Sequence, residues 1–188
     1  MPQQELLKRV IEVLGRLDID YMVTGSLASS LQGEPRSTHD VDIVVAVRSS
    51  AADELAAAFC APDYYLSKEN ILEALSTQGM FNLIEANTGD KVDFWVLTDQ
   101  PFDVSRFGRK YVEDVMGMKL AVSAPEDTIL AKLHWAKQSG GSEKHVGDAL
   151  RVYEVQYERL DLEYLRSWAH RLGVSSLFRK IEEEAERL

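Results

Sequence analysis

The sequence predicts an α/β (α+β) protein: a mixed β-sheet flanked by helices, with a helical segment at the C-terminal end. Three observations predict it. Up to residue 122, short β-branched and aromatic runs alternate with amphipathic stretches. Two of those runs, Met80 to Glu85 and Lys91 to Leu97, are joined by Asn87-Thr88-Gly89-Asp90, whose composition suits a hairpin turn. After Ser123 only helical periodicities remain, punctuated by Ser139-Gly140-Gly141-Ser142 and by Gly173. The expected division is therefore an α/β domain over 1–122 and a helical segment over 123–188 packed on it.

Taken in order, Pro2 to Leu17 carries apolar residues at Leu6, Leu7, Val10, Ile11, Val13, Leu14 and Leu17, a stripe along one side of a helix. Tyr21 to Thr24 reads as a strand ending at Gly25, and Ser26 to Gln32 as a short helix stopped by Gly33 and Pro35. Asp40 to Val47 is the next strand; Val41, Ile43, Val45 and Val47 share one face, Asp40 and Asp42 the other. Ala51 to Phe59 and Lys68 to Gln78 suit helices. The hairpin follows, then an irregular stretch from Pro101 to Arg109, then a second hairpin of Lys110 to Val115 and Met118 to Val122 around Met116-Gly117. Helices are expected over 125–138, 143–157, 161–172 and 174–188, with Trp135, Tyr153 and Trp168 in their core.

With 188 residues, 45% hydrophobic and 28% charged, the chain has the composition of a globular domain with a substantial core. The formal charge of −10 argues against broad, non-specific nucleic-acid binding, although Arg106, Arg109, Lys110 and Lys119 could form a local basic patch. Cys60 is the single cysteine, which excludes an internal disulfide and suits a reducing, cytoplasmic compartment. The first residues lack a signal-peptide pattern and no apolar run is long enough to span a bilayer, so no membrane role is expected.

The chemistry concentrates in three places. Gly25-Ser26, between a strand and a helix, would present backbone N–H groups at a helix N-terminus, a cradle for phosphate. Asp40 and Asp42 follow fourteen and sixteen residues after Ser26 and would project side by side at the start of a strand. Carboxylates so placed repel unless a cation lies between them, and hard oxygen donors suit Mg²⁺ carrying a substrate phosphate. Asp93, on the same strand face as Lys91 and Trp95, becomes a third ligand if its strand lies beside that of Asp42; otherwise it is a surface salt-bridge partner. Arg36 and Thr38 either contact a phosphate or shape the loop, and His39 reads as a local hydrogen-bond partner. Lys132 falls off the Ile129, Leu130, Leu133, Ala136 stripe; it either reaches a triphosphate tail or is a solvated helix lysine. Asp148, after His145 in the next helix, pairs with Lys132 or Lys144.

Together these residues resemble the nucleotidyltransferase superfamily with the DNA polymerase beta-like fold. The pattern is Gly25-Ser26, Asp40-x-Asp42 and a separate Asp93. Within it, Pro35-Arg36-Ser37-Thr38-His39-Asp40-Val41-Asp42 and Ala124-Pro125-Glu126-Asp127-Thr128-Ile129-Leu130-Ala131-Lys132-Leu133 are similar to stretches of the minimal nucleotidyltransferases and AbiEii-type toxins. Of the Arg-x-Lys-Asp-x-x-Asp stretch of those toxins only the last acid, Asp148, is matched. The resemblance covers residues 20–155 and implies a mixed-sheet nucleotidyltransferase fold, two Mg²⁺ ions, and transfer of a nucleoside monophosphate from an NTP to an acceptor hydroxyl. It implies that Gly25 and Ser26 hold the β- and γ-phosphates, that Asp40 and Asp42 hold both metals and Asp93 the catalytic one, and that Lys132 meets the phosphate tail. The alternative is a non-catalytic nucleotide-binding or toxin–antitoxin interaction module of the same fold. The acceptor, whether small molecule, protein or RNA, and the preferred base stay open, as does a homodimer or an antitoxin partner.

Overall fold

The computed structural model describes residues 2–35, 40–115 and 117–186. Arg36, Thr38 and His39 of the sequence reading, and Met116 of the second hairpin, lie outside them. Among the described residues the elements are α1 (Pro2–Arg16), β1 (Tyr21–Thr24), α2 (Gly25–Gln32), β2 (Asp40–Val45), α3 (Ala52–Ala57), β3 (Tyr64–Tyr65), α4 (Lys68–Thr77), β4 (Met80–Glu85), β5 (Lys91–Val96), α5 (Pro101–Gly108), β6 (Tyr111–Val115), β7 (Met118–Val122), α6 (Pro125–Gln138), α7 (Glu143–Gln156), α8 (Leu162–Leu172) and α9 (Ser175–Glu184). The expected mixed sheet flanked by helices is present, with the helical C-terminal run.

One expectation needs correction, and one element was not anticipated. The stretch from Pro101 is not irregular but helical: Pro101 starts α5 at a position where its missing N–H costs nothing, and Phe102 and Phe107 are buried from it. The two-residue strand β3 carries no sequence run long enough to announce itself.

The chain falls into two compact units, residues 1–23 with 38–122, and residues 24–37 with 123–188. The second unit therefore takes in the segment of α2, which the sequence reading kept with the first.

In the first unit the strand order is β3-β4-β5-β2-β1-β7-β6. The β3–β4, β4–β5 and β6–β7 pairs are antiparallel, and β2–β5 and β1–β7 are parallel. One sheet face is core: Val41, Ile43, Val45, Val92, Phe94, Phe81 and Leu83 are buried, with the Phe81 and Phe94 rings stacked at 4.9 Å. Of the α1 stripe Leu6, Leu7, Val10, Val13 and Leu14 are buried and Ile11 and Leu17 half-buried, and Arg9 lies over the Tyr64 ring at 4.8 Å. The opposite face is divided along the strands. Met22, Val44 and Phe107, joined by Ala46, Trp95 and Leu97, close it at one end; Asp40 and Asp42 stand at the other, where β2 begins.

In the second unit α2 packs on α6 and α7. Gln32 is buried there, donating from Nε2 to the Ser123 backbone carbonyl at 2.5 Å while its own backbone carbonyl accepts from the Gln156 side-chain amide at 2.8 Å. Gly33 permits the approach: a Cβ there would stand 3.0 Å from the Ser29 carbonyl oxygen and 3.1 Å from the backbone of Arg151 and Val152. Tyr153 and Trp168 are buried as expected, but Trp135 is 43% exposed, because it stands off the Ile129, Leu133, Ala136 face of α6.

Candidate active site

The parallel pairing of β2 with β5 sets Asp42 level with Asp93 and Asp40 level with Lys91. Partners in register share a face, and so do residues two apart. Asp40, Asp42, Lys91, Asp93 and Trp95 therefore share one sheet face, the condition on which the third-acid role of Asp93 depends. On the far side of β5, β4 sets Asn82 level with Asp93, Met80 with Trp95 and Ile84 with Lys91. Met80 and Ile84 are exposed large hydrophobic residues on this face.

The protein itself occupies the carboxylates. Asp93, only 9% exposed, accepts from the Asn82 side-chain amide at one oxygen and from the Lys91 ammonium, at 2.9 Å, at the other. The Trp95 indole N–H donates to Asp42 at 3.2 Å. Asp40 is exposed at the mouth of β2. The hydrogen bond from Lys91 to Asp93 raises the lysine pKa above its usual 10.5; partial burial opposes the shift, and the fields of Asp93, Asp40 and Asp42 add to it.

Among the described residues no group of three or more His, Cys, Asp or Glu side chains is gathered as a metal site. The expected trio thus shares a face without being drawn into a ligand set; Asn82 and Lys91 hold the oxygens of Asp93, and Trp95 bonds one of Asp42. The donor chemistry nonetheless fits a hard divalent ion: three carboxylates on one face, beside a cation the face already accommodates.

Gly25, Ser26 and Lys132 belong to the second unit. Gly25 opens α2 with a φ of +66°, in the left-handed region open to glycine, and Ser26 accepts at its carbonyl from Ser29 Oγ at 3.1 Å. Lys132 is not a solvated lysine off the buried face: it is 4% exposed, and its Nζ lies 2.7 Å from Asp148 Oδ2. Of the two partners open to Asp148, this is the one the fold selects. Around it, buried Asp127 accepts from the Tyr164 hydroxyl at 2.6 Å, and Glu126 accepts from the Asp161 backbone N–H at 3.0 Å.

The basic patch is partly spent within the first unit: Arg106 pairs with Asp103 at 2.8 Å and Lys110 with Asp20 at 3.0 Å. Sequence reasoning missed Asn82 and the part of Lys91. Their signal lay in the alternation of the two hairpin strands, which sets Asn82, Lys91 and Asp93 on one face once the turn at residues 87–90 is placed.

The antibiotic-resistance factor ANT(2″)-Ia in solution superposes with a TM-score of 0.54 at 12% identity, over 97% of this chain and 96% of that one. Its crystal structure in complex with adenylyl-2″-tobramycin gives 0.55 at 12% identity, over 92% and 98%. The fold is the nucleotidyltransferase fold. A nucleotidyltransferase-like protein of Paracoccidioides brasiliensis aligns over 90% of this chain and 89% of that one, at 16% identity and a TM-score of 0.47. No family model matches the sequence, and no curated protein matches it. Among the described residues, no helix is long and apolar enough to cross a membrane.

Proposed function

We propose that the chain is a Mg²⁺-dependent nucleotidyltransferase that moves a nucleoside monophosphate from an NTP to an acceptor hydroxyl. The observation that carries this is the register of Asp42 with Asp93 across two parallel strands, with Asp40 on the same face. Residues 51 apart in the chain are thereby brought level on the sheet face opposite Val41, Ile43, Val92 and Phe94. Asp40, Asp42 and Asp93 would hold the metal, which when bound lowers the pKa of the acceptor hydroxyl and stabilises charge on the attacking and leaving oxygens. Asp93, the most enclosed of the three, is the carboxylate assigned to take the acceptor proton. Asn82 and Trp95 are assigned to orient Asp93 and Asp42. Gly25, Ser26, Arg36, Thr38 and Lys132 enter as nucleotide-binding residues from the sequence resemblance, as does kinship with the AbiEii-type group; Lys132 would act from its ion pair with Asp148.

The test is incubation with each NTP labelled at the α-phosphate, against small-molecule, protein and RNA acceptor pools, read by mass spectrometry for an added nucleotide. Asp42→Asn and Asp93→Asn are expected to abolish transfer while the melting curve stays cooperative. Label reaching an acceptor in the Asp93→Asn protein at the wild-type rate refutes the assignment of that residue.

A second reading, a nucleotide-binding or interaction module without turnover, is favoured by one observation: Asn82 and Lys91 occupy both oxygens of Asp93, and Trp95 bonds Asp42. Calorimetry with Mg²⁺-NTP separates the two, since tight binding with no product from any acceptor pool selects the module.

A further inference from the structure

Lys91 has a position that the proposed reaction does not use. It is the first residue of β5, two before Asp93 and level with Asp40. Its ammonium bonds one oxygen of Asp93, and the Asn82 amide bonds the other. A lysine at the edge of an acid face differs from a metal ion in one respect: it is tethered. Its four-carbon stem lets the charge reach inward or turn to solvent without leaving the protein. A metal bound at Asp93 and a protonated amine at the same oxygen are mutually exclusive, by volume and by charge.

We propose that Lys91 is the built-in cation of this face: it holds Asp93 in position when no divalent ion is bound and must withdraw for one to enter. This rests on the metal-binding reading given above. The consequence is a lowered affinity for free divalent metal, in exchange for a carboxylate kept in position.

Direct Mn²⁺ binding, followed by the electron paramagnetic resonance signal of the free ion without nucleotide, tests it independently of activity. Lys91→Met and Lys91→Gln are expected to bind Mn²⁺ about tenfold more tightly than wild type, because the competing charge is gone. Lys91→Arg keeps the charge and should stay near wild type. Lys110→Met, which removes one positive charge from the Asp20 pair and leaves the acid face intact, controls for net charge and should also stay near wild type. A second measurement uses the unaltered chain: Mn²⁺ should speed modification of the Lys91 amine by an amine-reactive reagent, read by peptide mass spectrometry.

If Lys91→Met and Lys91→Gln melt cooperatively and bind Mn²⁺ no more tightly than wild type, while Asp42→Asn loses binding, the competition proposal is overturned and the metal reading stands. If none of these proteins binds Mn²⁺, both are overturned. Should both neutral variants fail to fold, the labelling decides: unchanged or slower modification of Lys91 with Mn²⁺ overturns the proposal.

Discussion

A carboxylate enclosed in a sheet is costly unless its oxygens are satisfied, and Asp93 meets that condition through an amide and an ammonium from its own and the neighbouring strand. Lys132 meets it in the second unit through Asp148. The two lysines differ in burial, and so in what their loss would do. Lys132→Met leaves Asp148 enclosed without its counter-charge, and thermal or urea unfolding should show a loss of about 3–5 kcal/mol. Replacing both, Lys132→Met with Asp148→Leu, should recover part of that loss, because no lone charge is left behind. At Trp95 the change is gentler: Trp95→Phe keeps most of the ring but removes the indole donor to Asp42. It should cost about 1–3 kcal/mol of stability by denaturant titration, and lower nucleotide transfer with little change in the apparent NTP affinity. Asp93, Lys132 and Asp148 stood in the sequence reading with their partners open, and Lys91 stood there only as a neighbour on the strand face. A helical period sorts residues into faces; it does not say which neighbouring helix will cover a face, and so Lys132 was left between reaching a triphosphate tail and standing in solvent.

At the scale of elements, the close approach of α2 to α7 depends on Gly33. The atoms that a Cβ would meet are backbone, which cannot rotate aside. Gly33→Ala should therefore destabilise by about 1–3 kcal/mol, seen as a lowered melting temperature. Most elements were legible because a period of two or of 3.6 is written in their apolar residues: α1 by its stripe, β2 by Val41, Ile43 and Val45, and β4–β5 by alternation around a turn in which Gly89 has a φ of +76°. Helix α5 was not, since eight residues hold only two buried aromatics, Phe102 and Phe107, and Pro101 reads alone as a breaker. Strand β3 exists by pairing with β4, at Tyr64↔Glu85 and Tyr65↔Ile84, a tertiary fact that no local pattern carries. The acid face was legible in part: alternation placed each acid on its strand, but only the β2–β5 pairing makes the faces coincide.

For the whole molecule, the chain passes between its two units at 23/24, 37/38 and 122/123. Helix α2 buries Ala28, Ser29 and Gln32 in the unit otherwise made of the last four helices. A fragment of residues 123–188 would expose the surfaces of α6 and α7 that α2 covers, and should give no cooperative melt by circular dichroism. The boundary read from composition missed this, since a composition shift marks where a pattern changes along the chain and cannot see a helix that packs far from its neighbours in sequence. In the first unit, burial raises the pKa of Tyr21 above 10.0; the Ala121 backbone N–H, donating to its hydroxyl at 3.4 Å, opposes this, and the charge of Asp20 adds to it. The neutral phenol is thus favoured in the fold. Its contribution is complete below 10.0 and is lost as pH climbs through the folded value, because the unfolded chain ionises first. Stability measured across that alkaline range should fall more steeply for wild type than for Tyr21→Phe.

The level pairing of positions 42 and 93 carries one last consequence. Everything threaded between these strands, from the short helices to the outer hairpin, is an excursion that must only return its end to the same rung. Lengthening that detour at a surface turn should leave the acids abreast. Deleting a single residue inside β5 ahead of position 93 would instead rotate the acid into the oily side and turn Phe94 out to water.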